Sequence, residues 1–313
     1  MPEDLTKRQH YVWRNYLKPW KLSENDAGIW TLLKERSKVA IISLMDVGQG
    51  SYFYKVNKLQ PYTIQLMDTM VSQSPFSIKP FLQDMLTLYK TYNSILEEVA
   101  RRKTSLDDPN IAHAIKEIEI NTYEHIEGKI ELMGSDFLKC SSVQDFKRLM
   151  DNDKIEDSIL FMCVQYGRTK KMRINQESAF KDDEKYLSLI RDAFPFSSLY
   201  FALGMCRDLI LSNDWRLIAV KNNTSIPFIT GDQPIVNVAY NEETATGFEL
   251  YYPTSPNTAI VLTTKDALDQ FGEIMYNEDE VKAKNQIMYN NSLHHVFANN
   301  KRLTCKVPWH NVT

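Results

Sequence analysis

Apolar residues in the first sixty positions fall into short runs. Ile29 to Leu33 and Val39 to Leu44 flank the polar stretch Lys34 to Lys38 and predict two strands around a turn. From about residue 76 the spacing lengthens. Phe81, Met85, Leu88, Tyr92, Ile95, Leu96 and Val99 recur at steps of three and four, the stripe of an amphipathic helix. A second stripe, from Ile111 through Ile115, Ile118, Ile126 and Ile130 to Met133, follows Asp108-Pro109, an N-cap aspartate ahead of proline at the first helical position. Further helices are predicted over 156–173, 183–192 and 197–211. Beyond residue 212, β-branched and aromatic segments at 215–220, 227–230, 235–239, 248–252 and 259–263 alternate with Asn, Gly, Asp and Pro, which predicts strands and turns. A final helix over 278–297 precedes a short closing strand. The expectation is a helix-rich α+β chain forming one domain over 1–313. It has a small N-terminal β and aromatic element (1–60), a central helical block (76–212), and a C-terminal antiparallel sheet with the final helix (213–313).

Composition narrows the picture. With 43% hydrophobic and 25% charged residues among 313, the chain is a folded protein rather than a disordered one. Lys and Arg total 37 against 40 acids, a net charge of -3, which excludes a uniformly basic nucleic-acid coat and leaves room for a local cationic groove. No run approaches the ~18 apolar residues of a spanning helix, and the first residues lack the apolar core of a leader. Cys140, Cys163, Cys206 and Cys305 are far apart, with no C-x-x-C pair. A cytoplasmic protein with reduced thiols and no membrane partner is expected. Gly48-Gln49-Gly50 lacks the third glycine and the Lys-Ser/Thr of a phosphate loop and predicts a loop ahead of a short aromatic strand at Tyr52-Phe53-Tyr54.

Three constellations carry candidate chemistry. Between Ile159 and Val164 the predicted helix is apolar on every side, and at its end Gln165, Arg168, Thr169 and Arg173 fall three and four residues apart, on one face. A guanidinium leaving a buried helix needs a carboxylate, a phosphate or water. Arg168 is thus a phosphate clamp, with Gln165, Thr169 and Arg173 as further phosphate binders, or an interior strut paired to an acid. Asp232, in the tight turn Thr230-Gly231-Asp232-Gln233-Pro234, suits a general base, a divalent-metal ligand, an arginine partner or a cap of its own turn. His10, between Lys7-Arg8-Gln9 and Tyr11, is a candidate acid or base. Two others fare less well. Ser255 has no recognisable His-Asp pair to activate it. The row Glu117, Glu124, Glu127 and Glu131 lies opposite the isoleucine stripe and reads as a solvated face rather than a metal site.

Taken together these segments resemble the bacterial family called domain of unknown function 4238. Arg8-Gln9-His10-Tyr11-Val12 with Tyr16-Leu17 is similar to its opening "QHYVPxFYLRNF", and Gln165-Tyr166-Gly167-Arg168-Thr169 with Arg173 to its "Q-x-x-R-T-x-x-x-R". Phe228 to Pro234 resembles "F-I-T-S-D-N-P", Tyr252 to Pro256 resembles "Y-P-L-S-P", and Asn285 with Ser292 its closing "N-x-x-x-x-x-S/A". Trp13 replaces the usual proline, Pro19-Trp20 the usual Asn-Phe, and Gly231 and Gln233 the usual Ser and Asn. The resemblance implies a bacterial module, some of whose relatives are associated with defence against bacteriophage, and it supplies no agreed reaction.

Two functions of different class follow. One is an anti-phage effector, a toxin that cleaves phosphodiesters of nucleic acid, set off by a phage-encoded trigger. Here His10 and Asp232 are catalytic, Asp232 alternatively holding a divalent metal, and Gln165, Arg168, Thr169 and Arg173 bind substrate. The other is a non-enzymatic sensor or interaction module in which an Arg168–Asp232 pair is structural. The first requires His10, Gln165, Arg168 and Asp232 to converge from distant segments on a solvent-reachable cleft, and the second requires only that Arg168 and Asp232 meet.

Overall fold

The computed structural model describes residues 8–23, 28–126, 128–240, 244, 246–264 and 269–301. The chain enters through strand β1 (Arg8–His10), helix α1 (Arg14–Leu17) and a 3-10 turn (Lys18–Trp20), followed by β2 (Gly28–Leu33), β3 (Lys38–Ser43) and β4 (Gln49–Ser51). Helices then dominate: α2 (Pro61–Gln73), α3 (Lys79–Arg102), α4 (Pro109–Ile126), α5 (Gly128–Phe137), α6 (Val143–Asp151), α7 (Ile155–Gly167), α8 (Lys170–Ala179), α9 (Glu184–Asp192) and α10 (Phe194–Ser212). The remainder is β5 (Arg216–Asn222), β6 (Thr230–Gly231), β7 (Val236–Asn237), β8 (Glu249–Ser255), β9 (Thr258–Thr263), β10 (Phe271–Tyr276), α11 (Glu278–Asn291) and β11 (His295–Ala298). This is the expected helix-rich α+β arrangement.

The sheets depart from expectation in an instructive way. The hairpin β2–β3 forms as the pattern predicts, Ile29 opposite Ile42. It does not stand alone: β11 lies between β2 and β6, antiparallel to both, so the order is β3-β2-β11-β6. The N-terminal β element and the C-terminal region therefore share one sheet. That sheet exists because the final helix stops before 297. Ser292 is extended (φ -68, ψ 134) after the poor helix formers Asn290 and Asn291, and the next residues become β11. The second sheet has the order β10-β5-β9-β8-β7 and is mixed rather than purely antiparallel, because β10 runs parallel to β5. The turn around Gly48 leads into β4, which pairs antiparallel with β1 and sets His10 opposite Gln49.

Helix α7 is the buried rod its composition predicts: Ile159, Phe161, Met162, Cys163 and Val164 are each at most 3% exposed. Gly134 of α5 permits close approach there, since a Cβ at that position would meet the Phe161 ring at 2.4 Å. The aromatic N-terminal segment is core, not an interaction surface. Tyr16 stacks on Tyr252 with ring centroids 4.8 Å apart, and the Trp20 indole donates to Phe228 O at 3.1 Å. Cys140, Cys163 and Cys206 are free and buried, and Cys305 lies outside the described residues. Glu117 and Glu124 are exposed as expected, Glu131 is half-buried rather than solvated, and Glu127 lies outside the described residues. No helix among the described residues is long and apolar enough to cross a membrane.

Candidate functional site: a buried polar junction

The predicted helix over 156–173 is in fact two. Thr169 takes extended dihedrals (φ -79, ψ 161) and caps α8, its hydroxyl accepting the Met172 N–H, so α7 ends at Gly167. An N-cap threonine stops one helix and starts the next. The change of direction dissolves the shared face on which Gln165, Arg168, Thr169 and Arg173 were expected. Arg173 turns toward α9 and α10, where it bonds Glu177 Oε1 at 3.1 Å and Arg191 O at 2.8 Å and lies over the Phe194 ring.

The other three stay together and meet distant segments. Gln165 Nε2 donates to Tyr11 O at 3.0 Å, and Gln165 Oε1 accepts from Arg168 Nη2 at 3.0 Å. One amide thus holds the N-terminal segment and orients the guanidinium. Thr169 Oγ1 bonds Gln233 Oε1, while Gln233 Nε2 donates to Tyr166 O at 3.3 Å and Ile235 O at 2.7 Å. Below them the Tyr16 hydroxyl bonds Thr230 Oγ1 and Pro253 O. Asn285 brackets the strand ahead of the turn, accepting Ile229 N–H and donating to Pro227 O, both at 3.0 Å. Four of the five motif-like segments, at 8–12, 165–169, 228–234 and 285–292, are therefore hydrogen-bonded into one junction, and the fifth, at 252–256, touches it through Pro253.

Asp232 does something other than the expected pairing with Arg168. Its Oδ1 accepts Leu293 N–H at 2.7 Å, and Oδ2 accepts the N–H groups of His294 and His295 at 2.7 and 3.1 Å. A carboxylate suits this position because three amides converge where α11 has ended and β11 has not yet paired, and buried backbone donors need acceptors. Among the described residues Arg168 and Asp232 form no ion pair. The link between helical block and sheet runs through Thr169 and Gln233 instead, neutral groups that carry a smaller desolvation penalty than buried charges.

His10 sits one residue before the Tyr11 carbonyl that Gln165 holds. It is 6% exposed, and its Nε2 is buried without a hydrogen-bond partner. Burial first, then the Arg14 charge and, more weakly, Arg168, push it below the ordinary histidine value, against raising contributions from hydrogen bonds to the Leu44 and Met45 backbone. The imidazole is thus neutral near pH 7, with Nε2 buried and two guanidiniums acting on the ring. That combination suits proton acceptance beside an anion.

Close to Asp232 lies a second group of charges that sequence reasoning missed. Glu35 bonds His294 Nδ1 at 2.8 Å, and His294 Nε2 meets Lys170 Nζ at 2.9 Å. Lys34 Nζ donates to Tyr289 O and Ser292 O at 2.8 and 2.6 Å, and Lys171 Nζ to Asn291 Oδ1 at 2.7 Å. Burial lowers both lysines, and the Asp232 charge opposes that shift. The doublet His294-His295 was the available signal, hidden because the segment read as helix. Among the described residues no group of three or more His, Cys, Asp or Glu side chains is placed to hold a metal ion, and both Asp232 oxygens already accept backbone amides.

An α+β protein whose N-terminal segment, α7–α8 junction, 230–235 turn and α11–β11 loop share one buried polar centre is the class that fold and site define. Residues 201–302, about a third of the chain, match the family model described as "Protein of unknown function (DUF4238)". The segments at 228–234, 252–256 and 285–292 fall inside this stretch, and those at 8–12 and 165–173 lie outside it. No curated protein and no solved structure matches the chain.

Proposed function

We propose that this chain cleaves phosphodiesters of nucleic acid, with His10 accepting a proton from the attacking hydroxyl as the new P–O bond forms and, as imidazolium, returning it to the departing oxygen as the old P–O bond breaks. Arg168, with Arg14 beside His10, counters charge on the phosphate oxygens, and Gln165 positions Arg168. The observation that carries this reading is the neutral, partnerless Nε2 of His10 under the influence of two guanidiniums, one of them 158 residues away and oriented by the amide that also grips Tyr11. Asp232 shapes the loop and takes no part in proton transfer, because both its oxygens are bound to backbone. His10 is 6% exposed, so admission of substrate requires side chains around it to move. The resemblance to defence-associated relatives supplies the setting, a toxin released during infection with a phage-encoded component as trigger.

A second reading has its own support. Gln165, Arg168, Thr169, Asp232 and Gln233 are all at most 2% exposed and joined to one another or to backbone, as in a structural hub of a non-enzymatic interaction module. Purified protein incubated with RNA and with DNA, with and without divalent cations, separates the two. Catalysis predicts degradation that His10→Ala abolishes with the melting temperature retained. Wild-type protein that leaves every substrate intact, together with an Arg168→Ala variant that only loses stability, establishes the hub instead.

A further inference from the structure

A cleft of about 810 Å³ opens beside α1 and the following 3-10 turn. Lys18, Lys21 and Lys139 stand around it, and no carboxylate is among the described residues that line it. Trp13 and Tyr16 form part of its wall, and Asn15 and Thr254 add polar groups. Lys139 bonds Asp136 Oδ1 at 3.2 Å, but that pair is exposed and shares its carboxylate with Lys154, so a phosphate can compete for the ammonium. The exposed cations Lys18 and Lys139 and a volume within the range of small-ligand sites suit a nucleotide-sized stretch of polyanion and are too confined for a duplex.

Its position adds the decisive element. Lys18 lies four residues after Arg14, a spacing that stacks side chains along a helical turn, and Arg14 is the charge that acts most strongly on His10. Lys18 at the cleft and Arg14 near the imidazole thus lie one helical turn apart. We infer that the cleft holds the phosphate backbone of single-stranded nucleic acid and feeds the strand toward His10. This rests on the proposed phosphodiester chemistry for the strand's destination, while the binding itself does not depend on cleavage.

The experiment uses the full chain carrying His10→Ala, a fluorescein-labelled oligouridine and a labelled oligothymidine, read by anisotropy over a range of salt. Single-strand binding releases about 0.7 counterions per neutralised phosphate, so Lys18 and Lys139 give a slope of log K on log salt of about -1.4. The exposed substitutions Lys18→Glu and Lys139→Glu, combined, should weaken binding at least ~10-fold and flatten the slope by about that amount, with the melting temperature unchanged. Equal binding by the Lys18→Glu/Lys139→Glu protein, or none by the parent, overturns the inference. So does a duplex or free uridine monophosphate that binds as tightly as the oligonucleotide. The two failures are separable: cleavage that needs His10 but ignores the lysines sinks only the cleft. Lysine-dependent binding by a wild-type protein that never cleaves sinks only the catalytic reading.

Discussion

Replacing Asp232 by alanine distinguishes a structural anchor from a catalytic acid. The carboxylate accepts three backbone N–H groups, at 2.7, 2.7 and 3.1 Å, from a half-buried loop. A hydrogen bond to a charged acceptor contributes about 1.5–3 kcal/mol, and water reaching the half-exposed loop in the variant recovers part of each. About 3–5 kcal/mol is therefore expected. Globular proteins gain roughly 2.1 cal/mol/K of unfolding entropy per residue near 60 °C, so a 313-residue cooperative unit loses on the order of 5–8 °C of melting temperature. Asp232→Asn keeps one acceptor oxygen and should lose about half as much. Differential scanning calorimetry supplies the measurement, with amide exchange at Leu293, His294 and His295 as a local check. An Asp232→Ala protein that melts within 1 °C of wild type, with those amides still protected, refutes the anchoring argument and returns Asp232 to the list of catalytic groups.

Other consequences follow from the same junction. His10 and His295 are both lowered, chiefly by burial. The unfolded chain therefore takes up protons as pH falls through about 6.5 while the folded protein stays neutral at these sites. Stability should hold above that value and decline below it until the folded-state values are reached. Denaturant melts at pH 7.5 and 5.5 should show a decline that His10→Asn with His295→Asn reduces, and an unchanged decline would contradict the assignment. At Gly231 a Cβ would stand 1.9 Å from Ser292 Oγ and 2.9 Å from both Ser292 Cβ and His295 O. Gly231→Ala should cost about 1–3 kcal/mol, and Ser292→Gly in the same chain should restore part of it. Additive losses in that double-mutant cycle would show that the two positions do not compete for space.

Much of this was legible in the pattern of residues. The apolar rod at 159–164, the hairpin β2–β3 and the strands of the C-terminal third follow from periodicity and turn chemistry, because local spacing determines them. Three features were not legible, each for a non-local reason. The break at Thr169 depends on a side-chain bond to Met172 N–H that a helical stripe does not reveal, since threonine is tolerated inside helices as well as at caps. The conversion of 295–298 from predicted helix to strand is a tertiary effect, in which β11 gains partners from β2 on one side and β6 on the other. Strand β10 escaped because Phe271-Gly272-Glu273-Ile274-Met275-Tyr276 is mostly exposed or half-buried and pairs along only one edge.

The candidate site shows the same division. Which residues meet was readable, because His10, Gln165, Arg168, Thr169 and Asp232 all reach one junction. What each does was not, because a carboxylate before a tight turn looks identical in sequence whether it faces a guanidinium or three amides. The register of β11 decides that, and β11 was unseen. Function and fold are also entangled here more tightly than at an open cleft. Gln165 both grips the Tyr11 carbonyl and orients Arg168, so a lost activity in Gln165→Ala has two physical causes. His10 lacks that ambiguity at Nε2, which has no hydrogen-bond partner among the described residues. A change confined to that nitrogen, such as His10→Asn, which places an amide near Nδ1 and leaves the Nε2 position empty, therefore tests chemistry with the least disturbance of the scaffold.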